Sequence, residues 1–235
     1  DSANADALLA RGFIRQMRED VRGAREDYRR AVALDPHNPE AWHRIGQVLL
    51  LPEEQSAAVA AYLRAIAQAP DRAVSYSDLA FTLLQQGRVE EAAFWSDSLV
   101  ALAPEHRYTW YTRTLVRLML RDVRGARTAF SRVAPEFHAG FWDVEADLLT
   151  MEGDTAGARR VLAQVPEGLR ASDFAVMSRL LTGDREGALD LLSRITPSMN
   201  PNHDILGAFY LGGRFDARGD PRYERYKAAF EATLR

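Results

Sequence analysis

Three observations predict an all-α chain built as a stack of helix-turn-helix repeats. Prolines recur at Pro36, Pro70 and Pro104, 34 residues apart each time. Small residues recur in step at Ala24, Ala58, Ala92, Ala126, Ala158 and Ala188, at intervals of 34, 34, 34, 32 and 30. Between these marks the apolar residues keep helical spacing, with no β-type alternation and no Asn-Gly hairpin signal.

The segments ALDPHNPEAW, AQAPDRAVSY and ALAPEHRYTW each run from a small apolar stretch through Pro to an aromatic residue. In the second unit Trp42, Ile45, Gly46 and Leu49 fall at i, i+3, i+4 and i+7, one stripe of a helix. After a break at Pro52-Glu53-Glu54, the residues Ala58, Tyr62, Ala65 and Ile66 form a second stripe. The third unit repeats this with Tyr76, Leu79, Ala80 and Leu83, a turn at Gln86-Gly87, then Ala92, Leu99 and Val100. Proline ends each second helix because it cannot continue one. Six units are expected, at about 5–38, 39–72, 73–106, 107–138, 139–168 and 169–199. Residues 200–235 complete the same domain: a helix over Asp204 to Leu211, a break at Gly212-Gly213, and a capping helix from Pro221 to Leu234 behind Asp220. Such an end shields the core face that the last repeat of a stack would expose.

This pattern resembles the tetratricopeptide repeat, a 34-residue helix-turn-helix with an aromatic, a Gly, an Ala, a second aromatic and a Pro at fixed places. The first unit supplies Gly12, Ala24, Tyr28, Ala31 and Pro36, and the second Trp42, Ile45, Gly46, Ala58, Tyr62, Ala65 and Pro70. The resemblance covers about Ala5 to Pro197. Later units depart from it: Thr114 and Ala146 replace the Gly, and Ser96 stands where an aromatic is usual. Pro135, Pro166 and Pro197 arrive early, which predicts shortened second helices and tighter curvature. The resemblance implies a right-handed α-solenoid whose first helices line a concave groove that holds a protein or peptide segment.

Composition narrows the function. The 235 residues are 47% hydrophobic and 27% charged, the balance of a soluble protein, and no run is long and apolar enough for membrane insertion. The net charge of −3 excludes nucleic acid as the main partner. The absence of cysteine removes disulfides and thiolate chemistry and suits a cytoplasmic or a periplasmic setting alike. The bias of 29 Arg to one Lys fits a GC-rich bacterial genome. The chain starts at Asp1 with neither initiator Met nor leader, which predicts a processed or excised module of a larger protein.

No catalytic signature is present: no Gly-x-Ser-x-Gly, no phosphate-binding glycine loop, no His-Glu-x-x-His. The histidines are never three or four apart, so no helix offers two to one metal. A non-enzyme with no cofactor and no metal is expected. Function then lies on a surface. Counting from the packing stripes, and on the resemblance, the groove should present Leu9, Phe13 and Met17, then His43, Arg44 and Gln47. Ser77, Asp78 and Phe81 follow, then Tyr108, Tyr111, Thr112 and Leu115, and distally Asp143, Asp147, Asp173, Phe174 and Met177. Phe81, Tyr108 and Tyr111 have the chemistry of binding anchors, large contact area at low entropy cost. Asp143 and Asp147, i and i+4 on one helix, suit a cationic segment, and a solvated face accounts for them at least as well.

Acidic chaperone tails are excluded as ligands, because the tetratricopeptide domains that hold them use a Lys and Asn clamp. Here the matching positions are Leu9, Phe13, Arg44, Ser77 and Asp78. Residues 107–138 carry seven arginines against two carboxylates, between neighbours of net −4 each. That alternation favours Arg113, Arg117 and Arg121 pairing with acidic neighbours over forming an anion site. Phe94, with Trp95 beside it, stands on the outer face where other units hold Glu26, Ala60, Thr128, Arg160 and Asp190, and marks a candidate self-association patch. The rival functions are a ligand-sensing arm of a multidomain signalling or transcription regulator, with a pocket around Tyr111, Trp142 and Phe174, and an oligomerisation module.

Overall fold

The computed structural model describes residues 2–49, 52–165, 174–195, 217 and 219–234. Within them the chain is a run of antiparallel helix pairs: α1 (Ser2–Met17) with α2 (Val21–Leu34), α3 (Pro39–Val48) with α4 (Gln55–Gln68), and α5 (Ala73–Gln85) with α6 (Val89–Leu102). Then come α7 (Thr109–Met119) with α8 (Val123–Phe130), α9 (Trp142–Met151) with α10 (Thr155–Gln164), and α11 (Phe174–Leu181) with α12 (Arg185–Leu192). A last helix, α13 (Pro221–Leu234), packs on α12. The expected helix over Asp204 to Leu211 lies outside the described residues.

The sequence period is a packing period. Ala24, Ala58, Ala92, Ala126, Ala158 and Ala188 are all at most 1% exposed, so each second helix meets its partner where a larger side chain would push the pair apart. One turn further on, size is matched across each pair. Tyr28 and Tyr62 are buried against Gly12 and Gly46, where an added Cβ would sit 2.5 and 2.6 Å from the rings. In α6 the small Ser96 replaces the ring, and Ala80 stands where the glycine was. The pair between α7 and α8 opposes Thr114 to Phe130.

Turns follow the same rhythm. The residue closing the first helix takes a left-handed backbone at Glu19, Gly87, Arg121, Gly153 and Gly183, while a 3₁₀ turn, Pro52–Glu54, serves in the second unit. The next residue caps the second helix: Asp20, Asp122, Asp154 and Asp184 each accept the amide of the glycine three residues on, as a side-chain N-cap does. The aromatics after Pro36 and Pro70 fasten the loops between units. The Trp42 indole donates to the Pro36 carbonyl at 2.8 Å, and the Tyr76 hydroxyl donates to that of Pro70 at 2.9 Å. Shortening of the second helices is as expected, with α8 and α12 at 8 residues against 14 in α2, α4 and α6. The proline at 135 acts differently than anticipated: α8 has already ended at Phe130, and Pro135 opens a 3₁₀ turn over Pro135–Gly140.

Candidate binding groove

The first helices form the inner layer of the curve. Neighbouring first helices touch through short side chains: His43 with Ser75 (3.1 Å) between α3 and α5, and Ser77 with Thr112 (2.8 Å) between α5 and α7. Outer links between units rely on long guanidinium reach, as in Arg25 to Glu54 (2.7 Å) and Arg222 to Glu186 (2.9 Å). Elements that approach this closely on one side and splay on the other leave a concave face lined by α1, α3, α5, α7 and α9.

The N-terminal end of that face is apolar and open. Phe13, 42% exposed, carries the Arg44 guanidinium over its ring at 4.7 Å, and Met17 is exposed one turn along. Arg44 is held by Glu40 (2.6 Å) and Gln47 (3.0 Å), and Arg72 binds the other oxygen of the same Glu40. Next stands Asp78, whose side chain keeps 31% of its surface and accepts from the Gln47 amide at 3.1 Å. Phe81, half-buried, lies on the same helix. Beyond it Tyr108, Tyr111 and Phe141 form an aromatic shelf, with centroids 6.4 Å apart for the tyrosines and 4.5 Å for Tyr111 and Phe141. The Arg107 guanidinium carbon stands over the Tyr108 ring at the rim, 4.3 Å from its centroid. The Tyr111 hydroxyl donates to Asp143 at 3.3 Å, and half-buried Asp147 follows one turn later. Asp173 and the Phe174 side chain lie outside the described residues.

Five residues assigned to the groove from spacing are not on its surface. His43 is 2% exposed and Leu115 is 7%, and Leu9, Ser77 and Thr112 are buried with them, because packing against adjacent helices closes over those columns. His43 joins Ser75 through Nδ1 and lies 3.6 Å from Asp78 through Nε2. These are the three residue types of a serine-hydrolase triad but with the ring nitrogens exchanged, since there the serine meets Nε2 and the aspartate Nδ1. Burial is the leading reason that its pKa falls to about 3, helped by Arg72 nearby, so the ring is neutral and a weak base at neutral pH. Ser75 is fully enclosed, which denies a substrate access to its hydroxyl; the trio holds α3 to α5. Desolvation raises Asp78 and Asp143 to about 6 each. Among the described residues no group of three or more His, Asp or Glu side chains is arranged to hold a metal, and no helix is long and apolar enough to cross a membrane.

On the outer face Phe94 is 63% exposed, while Trp95 turns inward against Tyr76 with centroids 5.7 Å apart. Arg113 pairs with Asp97 and Arg117 with Asp122 (3.1 Å), so two of the three stripe arginines are taken up by acidic neighbours. Sequence reasoning passed over Phe141, Glu40 and the Asp caps. The recurrence of Asp-x-x-Gly at Asp20, Asp122, Asp154 and Asp184 was the available signal for the last.

A helical solenoid with an open concave face is therefore the class of protein that fold and groove define. The family model described as tetratricopeptide repeat matches residues 61–93, so the chain carries a tetratricopeptide repeat there, and its fold is that of tetratricopeptide solenoids. A solved structure of Pseudomonas aeruginosa pilF is similar at 20% identity and a TM-score of 0.61, covering 96% of this chain and 97% of that one. A thermophilic tetratricopeptide protein of Thermus thermophilus, TTC0263, is similar at 19% identity and a TM-score of 0.66, covering 75% and 98%. PilW, described as a widely conserved type IV pilus biogenesis factor, is similar at 15% identity and 0.62, covering 81% and 91%. At these identities the likeness is one of fold. Nothing among curated protein sequences matches.

Proposed function

We propose that the chain is a non-enzymatic scaffold, a module of a larger bacterial protein or a free adaptor, that holds a protein or peptide segment in its concave groove. The observation that carries this reading is the inner-layer row of incompletely buried large side chains, Phe13, Phe81, Tyr108 and Tyr111. A solenoid buries its helices against sequence neighbours, and side chains left on the inner curve have no later repeat to cover them. Rigid aromatics placed there give contact area at small entropic cost. A small-ligand pocket beside Tyr111 is disfavoured, since the Phe141 ring stacks into that space.

The test is site-specific photo-crosslinking in the native host, with a benzoylphenylalanine replacing Phe81 in one variant and Phe94 in another. The groove reading expects heterologous adducts from position 81 and none from 94. Adducts from 94 alone would move the function to the outer face, and a self-adduct there would make the chain an oligomerisation module.

A further inference from the structure

The inner face sorts its charges unevenly. Its cations are matched within the chain: Arg44 and Arg72 converge on the two oxygens of Glu40, and Arg107 stands over the Tyr108 ring. Among the described residues, two of its carboxylates form no ion pair with an arginine, although Arg44 and Arg72, both engaged by Glu40, act on Asp78 from a distance. Asp78 is contacted by the Gln47 amide and lies beside the neutral His43 ring, and Asp143 accepts from the Tyr111 hydroxyl. Both sit in partly desolvated positions, where a negative charge without a direct ionic partner is unfavourable and an incoming cation interacts more strongly than in bulk water. Between them lie Phe81 and the tyrosine shelf, the apolar part of the groove.

Spacing sets the ligand. Asp78 is on α5 and Asp143 on α9, two first-helix steps apart. Steps of roughly 8–10 Å between packed helices place the carboxylates about 18 Å apart. An extended strand rising about 3.3 Å per residue covers that in roughly five or six residues. We propose that the groove selects an extended protein segment carrying two cationic side chains five or six residues apart, with bulky apolar residues between them. Asp78 and Asp143 receive the cations, while Phe81, Tyr108 and Tyr111 receive the apolar residues. This rests on the groove reading above and adds the chemistry of the occupant.

The probe is a random dodecapeptide library displayed on phage, panned against the parent chain, an Asp78→Asn/Asp143→Asn variant and a Phe81→Ala/Tyr108→Ala variant, each of verified helicity. The parent is expected to enrich paired Arg or Lys at a separation of five or six at least threefold over the input. The aspartate variant should lose that enrichment. Synthetic copies of the selected peptides should bind about tenfold more weakly to each single aspartate variant. Peptides without basic pairs that depend on Phe81 and Tyr108 would overturn the cationic selectivity and leave the groove reading intact. Peptides indifferent to both variants, or no enrichment at all, would count against both.

Discussion

Asp78→Asn is expected to stabilise the chain, an unusual outcome for a substitution in a polar network. Desolvation raises the folded-state carboxyl to about 6 from an ordinary 3.8. A folded pKa above the unfolded one means that the charge is tolerated less well in the native state. The penalty is absent below the unfolded value and complete above about pH 6. Roughly two units at 1.36 kcal/mol each set a ceiling of about 3 kcal/mol. With 31% of the side chain in solvent, about half of that, ~1.5 kcal/mol, is expected. Asparagine keeps an oxygen to accept the Gln47 amide, so little is lost in exchange. For a chain of this length the gain corresponds to a rise in Tm of about 3–6 °C at pH 7. Urea titrations of parent and variant at pH 7 and pH 4 read it directly: the difference should shrink to a few tenths of a kcal/mol at pH 4. A destabilised variant at pH 7, or a gain of the same size at both pH values, would refute the assignment of a desolvated charge.

His43 slopes the other way. Its folded pKa is depressed to about 3, so the stability it contributes is whole above pH 6.5 and declines as the solution is acidified. Between pH 7 and 5 this amounts to about 2 kcal/mol, and His43→Gln should lose less stability over that interval than the parent in paired denaturation curves. Gly46→Ala drives a methyl to within 2.6 Å of the Tyr62 ring; a loss of about 2 kcal/mol in urea unfolding is expected from such overpacking. Ser96 has a fully buried hydroxyl without a hydrogen-bond partner among the described residues. Ser96→Ala removes that desolvated group and should raise stability by about 1 kcal/mol, read as a higher urea midpoint at unchanged m.

The repeat was legible because one geometry, the close approach of paired helices, imposes one residue size every 30 to 34 positions. Ala24 to Ala188 could thus be found by counting and prove to be fully buried in every pair. Residue depth was harder to read. Spacing places His43 and Phe81 on neighbouring columns of the inner face, yet the first is sealed and the second is not. The difference arises from how closely the next helix approaches, which belongs to tertiary packing rather than to periodicity. Phe141 escaped notice for the same reason. It follows an irregular turn, outside any helical stripe, and becomes part of the groove only where α9 brings it under Tyr111. Charge alternation between units foretold the partner of Arg113, Asp97 of the preceding unit, whereas Arg117 pairs with Asp122 of its own unit and Arg121 sits on a left-handed turn.

The apolar interior is segmented. One cluster fills α1 to α3, a larger one runs from α3 to α9, and two more lie toward α13, with Ile45 and Met177 each touching two neighbours. Cooperativity in such an array is local, and the ends should breathe without the middle melting. Amide protons of α1 and α2 are then expected to exchange well ahead of those in α5 and α7. The residues proposed to grip a ligand, Asp78 to Asp143, fall within the span of the large central block. Occupancy would therefore quieten the centre and leave the two ends as restless as before, a lopsided damping that a single undivided core could not show.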